Sequence, residues 1–420
     1  MDSTPLEDRS PACPPHTSRS GPDPRSFSQF LKVLMQITAQ VPIISKGTTM
    51  SDSSQFIFTS ESVTEGHPDK VCDFILDAHL EQDPSSRVAC EVLAKSGDLV
   101  IAGEITSAAK VDVASVAREA IRSIGYTDAT EAFNAASVRI TTLLTRQAAE
   151  IGDSVSRATD NAADQGAGDQ GIMFGYATTE TPELMPLPIV LAHRLAATLA
   201  KARKSGEATW LRPDAKTQVS VRYEGGRPVE VTDVLISTQH AASADQDTIR
   251  QFIERSIVPA ALDRWNHSGV RLLVNPSGSF VLGGPSADAG VTGRKIIVDS
   301  YGGFARHGGG AFSGKDPSKV DRTGAYFCRL VAREIVRHGL ASRAELQVSY
   351  AIGRAQPVSV LVETFGSGNA DLASAFVKER FDFRPRAIIE RLKLLRPIYR
   401  TTTNYGHFGK ASLPWEAPLA

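Results

Sequence analysis

Cysteine is scarce in this chain, and its arrangement excludes several classes of protein. The 420 residues contain four cysteines, Cys13, Cys72, Cys90 and Cys328, and none of them forms a C-x-x-C pair. This spacing excludes the common zinc-binding patterns and argues against the disulfide framework of a small secreted protein. We therefore expect reduced structural thiols and a cytoplasmic protein.

Long apolar runs and a strong excess of charge are also absent. The best candidate for an apolar run, residues 30 to 44, is interrupted by Lys32, Gln36, Gln40 and Pro42. It is also shorter than the ~20 residues that span a bilayer. The formal net charge is -1, whereas proteins held to nucleic acid by bulk electrostatics are strongly basic. We expect neither a membrane span nor a nucleic-acid partner.

The composition is that of a globular chain with an atypical beginning. Hydrophobic residues make up 41% of the chain and charged residues 22%, and the length suits two or three domains. Residues 1 to 54 are rich in Ser, Pro and Thr, which predicts a disordered leader. A transit peptide is a second interpretation, although the acids of this stretch argue against it. Met50 as the true start of the protein is a third.

The most informative stretch is residues 308 to 322, GGGAFSGKDPSKVDR. Its three glycines allow close approach of the backbone to a ligand, and Lys315 and Lys319 supply two cations. Backbone N–H groups, lysines and the carboxylates of Asp316 and Asp321 suit a polyphosphate with Mg²⁺. The stretch matches most of a Walker A loop, but Asp316 stands where that motif has the Mg²⁺-binding Ser or Thr. We interpret it as a phosphate loop of another kind; the alternative is a flexible surface loop.

Hydrophobic periodicity and turn residues predict hairpins and helices without regular βαβ alternation, which indicates an α+β fold in several units. The segment KIIVDS at 295–300 is predicted to be a strand. The glycines of 166–177 are expected to impose an irregular backbone, and the polar stretch 145–164 is expected to be a loop that acts as a lid. Helices are predicted over 69–81, 113–124, 184–204, 243–264 and 385–395.

A β-hairpin is predicted over residues 87 to 106, with its turn at Ser96-Gly97. In that register position 91 pairs with 102, so Glu91 and Glu104 lie on one face as diagonal neighbours about 7–8 Å apart. Two acids on a hairpin face are usually solvated. Their apolar neighbours instead suggest a half-buried face and a site for an ion or an amine.

Five motifs occur in one order along the chain, and together they resemble the S-adenosylmethionine synthetases, also called methionine adenosyltransferases. The resemblance extends from about residue 56 to the C-terminus. Its motifs are EGHPDK at 65–70, GAGDQGIMFGYA at 166–177, WLRPDAKTQV at 210–219, GGPSADAGVTGRKIIVDSYGG at 283–303 and GGGAFSGKDPSKVDR at 308–322.

The resemblance implies an α+β protein of three structurally similar domains about a pseudo-threefold axis. On this chain the domains would be residues 56–149, 165–281 and 283–420. It also implies a homodimer or homotetramer with active sites at the subunit interface.

The implied reaction joins methionine and ATP. The methionine sulfur attacks C5′ of the ribose and expels tripolyphosphate, which is then hydrolysed; two Mg²⁺ ions per site and K⁺ are required. The residues fit this chemistry independently of the resemblance, because a thioether sulfur is already a nucleophile. The demand is for positioning and for stabilisation of a departing polyanion.

By motif, the resemblance assigns the polyphosphate and the leaving group mainly to cationic side chains. His67 resembles the residue beside the leaving oxygen, and Lys319 lies near both substrates. The polyphosphate-binding cations are Lys216, Arg294, Lys295 and Lys315.

The remaining assignments concern metals, methionine and adenosine. Asp69 and Asp321 resemble the Mg²⁺ ligands and Glu91 the K⁺ ligand. The methionine contacts would be Glu104, Gln147, Asp288 and Lys319. The adenosine side would include Phe280, Asp288 and Ala311, with Asp169 and Asp214 as further acids of the site.

Three departures from the family pattern bear on activity. The helix after residue 70 is about one turn shorter, the lid at 147–155 has lost its proline and its motif Asp, and Ser279 stands where the family has Arg. They support an alternative, a weakly active or inactive paralogue that serves as a binding or regulatory subunit. An unrelated ATP-dependent kinase or ligase is a third interpretation.

Overall fold

The structure is a computed structural model that describes residues 55–65, 67–147, 157–161, 164–265 and 268–418. The predicted leader and residues 148–155 of the predicted lid lie outside the described residues.

The strands of the described chain are numbered in sequence order. They are β1 (Gln55–Val63), β2 (Arg87–Lys95), β3 (Asp98–Thr106), β4 (Arg139–Thr145), β5 (Gly171–Thr178), β6 (Leu211–Glu224), β7 (Arg227–His240), β8 (Arg271–Val274), β9 (Gly290–Val291), β10 (Arg343–Tyr350) and β11 (Ser359–Glu363).

The helices are numbered in the same way. They are α1 (Asp69–Gln82), α2 (Val113–Ile124), α3 (Leu187–Ser205), α4 (Gln246–Phe252), α5 (Val258–Leu262), α6 (Gly284–Ala287), α7 (Ile296–Asp299), α8 (Val320–Arg337), α9 (Ala370–Arg380) and α10 (Pro385–Leu392). A π-helical turn, Ile253–Ile257, joins α4 to α5. None of the described helices is long and apolar enough to cross a bilayer.

The described strands form three sheets, in the orders β1-β6-β7-β8, β11-β10-β5 and β4-β3-β2-β9. Most neighbours are antiparallel, whereas β7 with β8 and β3 with β4 are parallel. Helix α3 packs on β1 and β6, α8 on β5 and β10, and α1 on β2 and α2. These layers confirm the α+β prediction. Each sheet combines strands from two of the predicted domain ranges, and the ranges themselves stay a prediction.

Several local predictions are confirmed. The hairpin β2–β3 pairs Lys95 with Asp98 and Glu91 with Ala102, which is the predicted register. Helix α2 begins after Asp112, whose side chain accepts a hydrogen bond from the backbone N of Ser115. The apolar side chains of α1, which lies where a helix was predicted, are buried.

The segment KIIVDS is not a strand, so that prediction is wrong. Residues Ile296–Asp299 form the single helical turn α7. The hydroxyl of Ser300 donates to the carbonyl oxygen of Ile296 at 2.7 Å, which closes the turn locally. This side-chain bond outweighs the strand propensity of the β-branched residues.

The prediction of irregular backbone within 166–177 is also wrong for most of that range. Strand β5 pairs with β10 without interruption from Gly171 to Thr178. A Cβ at Gly175 would lie 2.0 Å from the carbonyl carbon of Cys328 in α8. The glycine therefore permits close packing of helix on sheet, and it does not bend the strand.

A buried ion pair, Asp73 with Arg322, joins three distant parts of the chain. Arg322 donates to both carboxylate oxygens of Asp73, at 2.8 and 2.7 Å, and the two side chains are 1% and 0% exposed. Asp73 also accepts from the backbone N of Gly314 at 2.9 Å and from the hydroxyl of Thr402 at 3.1 Å. Arg322 further donates to the carbonyl oxygen of Lys315 at 3.1 Å. Helix α1, the loop before α8 and the C-terminal segment are thus connected at one point.

Arg322→Met should lower the free energy of unfolding by about 3–5 kcal/mol, because the carboxylate of Asp73 stays buried without its counter-charge. Urea denaturation followed by circular dichroism measures the change. The control is Arg139→Met, whose partner is Asp98 and whose side chain is 78% exposed; it should cost less than about 1 kcal/mol. Equal losses in the two variants would contradict the role given to Arg322.

Candidate active site

The loop of residues 308 to 322, here called the phosphate loop, is attached to strand β2. The backbone N of Cys90 donates to the carbonyl oxygen of Gly314 at 2.9 Å, and the backbone N of Asp316 donates to that of Val88 at 3.0 Å. Ala89 and Lys315 form an isolated antiparallel bridge between these bonds. The loop is therefore held as an additional short strand at the edge of the hairpin.

Asp316, the residue that departs from the Walker A pattern, serves as a buried anchor. Its carboxylate accepts from the backbone N of Val88 at 2.7 Å, from Lys319 at 2.6 Å and from the backbone N of Ser318 at 2.9 Å. Burial alone would raise the pKa of Asp316, but Lys319 and Arg87 outweigh this effect and lower it. An ionised side chain with these partners holds the loop to β2.

Two glycines of the phosphate loop are required by close approach. A Cβ on Gly314, whose φ is +78°, would lie 2.0 Å from the carbonyl oxygen of Cys90. A Cβ on Gly310 would lie 2.3 Å from a carboxylate oxygen of Asp321. The glycines thus bring the loop against β2 and against the first turn of α8.

A cavity of about 300 Å³ lies between the hairpin and the phosphate loop. It brings together four of the predicted site residues, Glu91, Glu104, Ala311 and Lys315. The cavity has two carboxylates from the hairpin and one ammonium group from the loop. Both glutamates are exposed in the single chain, whereas Ala89 and Ala102 on the same face are half-buried, so the predicted half-buried face is confirmed only for its alanines.

The two lysines of the phosphate loop are each paired with an acid. Lys315 donates to Asp321 at 2.7 Å, and Lys319 donates to Asp316 at 2.6 Å. Asp316 is completely buried, whereas Asp321 is 19% exposed. The first pair is therefore the one more accessible to a ligand that competes for the lysine.

His67 and Asp69 form a second cluster beside the cavity. Nδ1 of His67 donates to Asp69 at 2.9 Å and Nε2 donates to the carbonyl oxygen of Thr403 at 3.3 Å. The other oxygen of Asp69 accepts from the backbone N of Gly293 at 3.1 Å. Burial alone would lower the pKa of His67, but the hydrogen bond with Asp69 outweighs it and raises the pKa. An imidazolium that donates from both nitrogens fits this environment.

The segment 292–295 links the two clusters. The hydroxyl of Thr292, which lines the cavity, accepts from the backbone N of Val92 at 2.8 Å. The next residue, Gly293, contacts Asp69, and a Cβ there would lie 2.8 Å from that of Ala311. Arg294 and Lys295 follow directly, so these predicted cations lie close to both clusters.

The other predicted residues do not line the cavity, and among the described residues no hydrogen bond or ion pair joins them to it. Asp214 accepts from the backbone N of Gly284 at 2.8 Å. The backbone N of Phe280 donates to His240, and that of Gln147 donates to Thr106. The exposed side chains in this group are those of Asp169, Lys216 and Asp288.

Some residues that support the site were not predicted. Glu65 is buried and paired with both Lys70 and Lys204, so it fixes the two ends of EGHPDK around His67. Glu65 and Lys70 lie inside a recognised motif, and their charges at its ends were an available signal. The Asp73–Arg322 pair had no such signal, because its members are 249 residues apart.

Fold and site together define an α+β protein with a lysine-bearing phosphate loop facing two carboxylates. Sequence profiles for three domains match the chain: "S-adenosylmethionine synthetase, N-terminal domain" over residues 55–149, "central domain" over 164–280 and "C-terminal domain" over 282–417. The chain belongs to the S-adenosylmethionine synthetase family.

Proteins named S-adenosylmethionine synthase are similar over most of the chain. That of Sorangium cellulosum is 53% identical to this chain, and the aligned region covers 86% of this chain and 87% of the relative. That of Akkermansia muciniphila is 54% identical, and the aligned region covers 87% of this chain and 96% of the relative. That of Nocardia farcinica is 53% identical, again with 87% and 96%. The family resemblance, the three-domain fold and the prediction of a methionine adenosyltransferase are confirmed.

Asp69→Asn should lower the pKa of His67, because burial then opposes the imidazolium without the hydrogen-bonded carboxylate of Asp69. Histidine ring signals in an NMR pH titration measure the change. In the wild type the pKa of His67 lies above the usual 6.5. The His67–Asp69 pair therefore contributes its full stabilisation below pH 6.5, and this contribution is lost as the pH rises through the folded-state pKa of His67. Asp98→Asn, on the hairpin turn, is the control. An unchanged His67 pKa in Asp69→Asn would contradict this account.

Asp316→Ser, the change that would complete the Walker A pattern, should destabilise the protein by about 3 kcal/mol, because it removes the buried partner of Lys319. Thermal unfolding measures it, and Asp288→Ser, at an exposed acid, is the control. A stable Asp316→Ser protein with tighter ATP binding would show instead that Asp316 occupies a Walker-type metal position.

Proposed function

We propose that this chain forms S-adenosylmethionine from L-methionine and ATP, with active-site residues from the phosphate loop and the β2–β3 hairpin. One observation carries the proposal: Lys315, Glu91 and Glu104 line the same cavity. Its cationic side suits a polyphosphate, and its anionic side suits the ammonium group of an amino acid. Both chemical ends of the two substrates thus have a counterpart in one cavity.

The first step is a displacement at carbon that needs no general base. A lone pair of the methionine sulfur forms the S–C5′ bond while the C5′–O bond breaks, and that electron pair leaves with the tripolyphosphate. The chain's task is to align sulfur, C5′ and leaving oxygen and to stabilise the departing anion. An imidazolium at His67 can donate from Nε2 to the leaving oxygen in exchange for its long bond, 3.3 Å, to the carbonyl oxygen of Thr403, while Nδ1 stays bonded to Asp69.

The cations proposed to bind the polyphosphate differ in how firmly the protein holds them. Lys315 is paired with the more accessible Asp321, so a phosphate oxygen can replace that partner. Lys319 is held by the buried Asp316 and is positioned before the ligand arrives. Arg294 and Lys295 are proposed to extend the cationic surface, and Lys216 of β6 is proposed as a further contact of the polyphosphate. Water then cleaves the bound tripolyphosphate to pyrophosphate and phosphate.

Methionine and adenosine occupy the other side of the cavity. Glu104 is proposed to bind the methionine ammonium group, and Gln147 is suitably close because β4 pairs with β3 beside Glu104. The further contacts proposed for the two substrates are Asp169, Asp214, Phe280, Asp288, Ala311 and Lys319.

The metal proposal rests on the donors available. Among the described residues, no three His, Cys, Asp or Glu side chains converge as a metal cluster. Mg²⁺ commonly takes only one or two protein carboxylates together with substrate phosphates, so Asp69 and Asp321 fit as ligands for two Mg²⁺ ions. Bound Mg²⁺ would neutralise phosphate charge, and Glu91 is the proposed K⁺ ligand.

We further propose a homodimer or homotetramer in which a second subunit covers the cavity. The hairpin sheet that carries Glu91 and Glu104 also exposes Leu93 by 43% and Leu143 by 60%. Apolar side chains beside catalytic acids suit an interface better than open solvent. The described cysteines are free and buried, which supports the proposal of a cytoplasmic enzyme.

Lys315→Ala should reduce the rate of S-adenosylmethionine formation by about 10²–10³-fold, because it removes one group that stabilises the departing polyanion. The assay is mass detection of the product from methionine, ATP, Mg²⁺ and K⁺. Lys378→Ala, at an exposed position on α9, is the control.

The wild-type result separates the two candidate functions. No product above the Lys315→Ala level would overturn the proposed reaction. Retention of ATP binding in that case would favour the regulatory-subunit alternative.

A further inference from the structure

A second and larger cavity lies away from the phosphate loop. Its volume is about 690 Å³, and it shares no lining residue with the 300 Å³ cavity. It is enclosed by the end of β5, the β6–β7 turn, the segment after α5 and the turns that flank β10 and follow β11. Its lining includes Glu180, Arg227, Arg264, Trp265, Arg343 and Phe365.

Three guanidinium groups line this cavity, and none forms a direct ion pair with a carboxylate of the described residues. The side chains of Arg227 and Arg264 are exposed. Neither makes a hydrogen bond or an ion pair to another described residue. Arg343 donates only a long bond, 3.4 Å, to the carbonyl oxygen of Phe365. The cavity thus has an excess of donors that the protein itself leaves unused.

The acid in the lining, Glu180, can offset only one of the three arginine charges. One carboxylate oxygen of Glu180 accepts from the backbone N of Leu187 at 3.0 Å and from the hydroxyl of Tyr223 at 2.7 Å. Burial raises the pKa of Glu180. One of its oxygens is therefore committed to the cavity wall, and the other accepts only a long bond, 3.4 Å, from the hydroxyl of Thr178. The three arginines exceed the single charge of Glu180 by two.

Aromatic rings hold two of the arginines in place. The guanidinium of Arg343 lies 5.0 Å from the ring centre of Phe365, and that of Arg264 lies 5.4 Å from the ring centre of Trp265. Phe365 has a φ of +52° and Asp263, next to Arg264, has a φ of +49°. Such backbone is strained for residues other than glycine and is frequent at ligand sites. Stacked guanidiniums keep their N–H edges free for a planar or tetrahedral anion.

We propose that this cavity binds a small phosphate-bearing anion, separately from the reacting substrates. Arg227, Arg264 and Arg343 would donate to phosphate oxygens, and the rings of Trp265 and Phe365 would flank a planar group attached to the phosphate. Charge-assisted bonds from several guanidiniums to one anion are strong and geometrically selective. Inorganic pyrophosphate and a nucleoside diphosphate share this chemistry.

The test uses the tryptophan of the cavity as a reporter. Purified full-length protein is titrated with pyrophosphate and, in a second arm, with ADP, while tryptophan fluorescence and the heat of binding are recorded. We expect a saturable fluorescence change that disappears in Trp265→Phe. It should weaken at least about tenfold in the double variant Arg227→Gln/Arg264→Gln. Tighter binding of ADP than of pyrophosphate would assign a nucleotide, and equal binding would assign the phosphate groups alone.

Two matched variants separate this cavity from the active site. Lys315→Ala alters the phosphate loop and should leave the fluorescence change intact, and Arg386→Gln, at an exposed arginine paired with Glu390, should also leave it intact. Unfolding curves check that every variant is folded. The proposal is overturned if neither ligand produces heat or fluorescence change at millimolar concentration. It is equally overturned if Lys315→Ala abolishes the response or the double arginine variant retains it.

Discussion

The site depends on one buried ion pair, Asp73 with Arg322. Arg322 is the last residue of the phosphate loop and lies in the first turn of α8, and Asp73 lies in the helix that begins at Asp69. Because Asp73 also accepts from the backbone of Gly314, the pair fixes the loop relative to the helix that carries Asp69. The hydroxyl of Thr402, in the C-terminal segment, also donates to Asp73. The carbonyl oxygen of the next residue, Thr403, accepts a hydrogen bond from His67. One low-dielectric contact thus aligns loop, helix and imidazole, and its burial makes the loss of either partner costly.

Charge is distributed differently in the two cavities. At the smaller cavity, which Lys315 lines, both lysines of the phosphate loop have carboxylate partners, one buried and one accessible. This arrangement orients the cations and still allows Lys315 to exchange its partner for a phosphate oxygen. In the larger cavity aromatic rings orient Arg264 and Arg343, and none of the three arginines forms a direct ion pair with a described carboxylate. Stacking on an aromatic ring fixes the direction of a guanidinium group without neutralising its positive charge. The larger cavity is therefore suited to an additional anion.

Much of the local structure was predictable because its causes lie within a few residues. The side chain of Asp112 caps α2, and Ser96-Gly97 turns the hairpin in the expected register. The failed predictions depend on distant contacts. Gly175 predicts an irregular backbone when only its neighbours in sequence are considered. In the structure it instead allows the backbone of Cys328 to pack closely against β5. Asp316 is by type a possible metal ligand, yet burial against β2 makes it an anchor.

The sequence by itself determined the family, the α+β class and the shared hairpin face of Glu91 and Glu104, and it located the loop for which phosphate binding is proposed. These follow from motif order, from the two-residue period of a strand and from turn chemistry. Only the tertiary structure decided that Glu91 and Lys315 line one cavity and that Asp73 is the partner of Arg322. It also revealed the three arginines around the second cavity. These groups are far apart in the chain, and their partners and burial depend on how separate helices and sheets pack, which no local pattern of residues encodes.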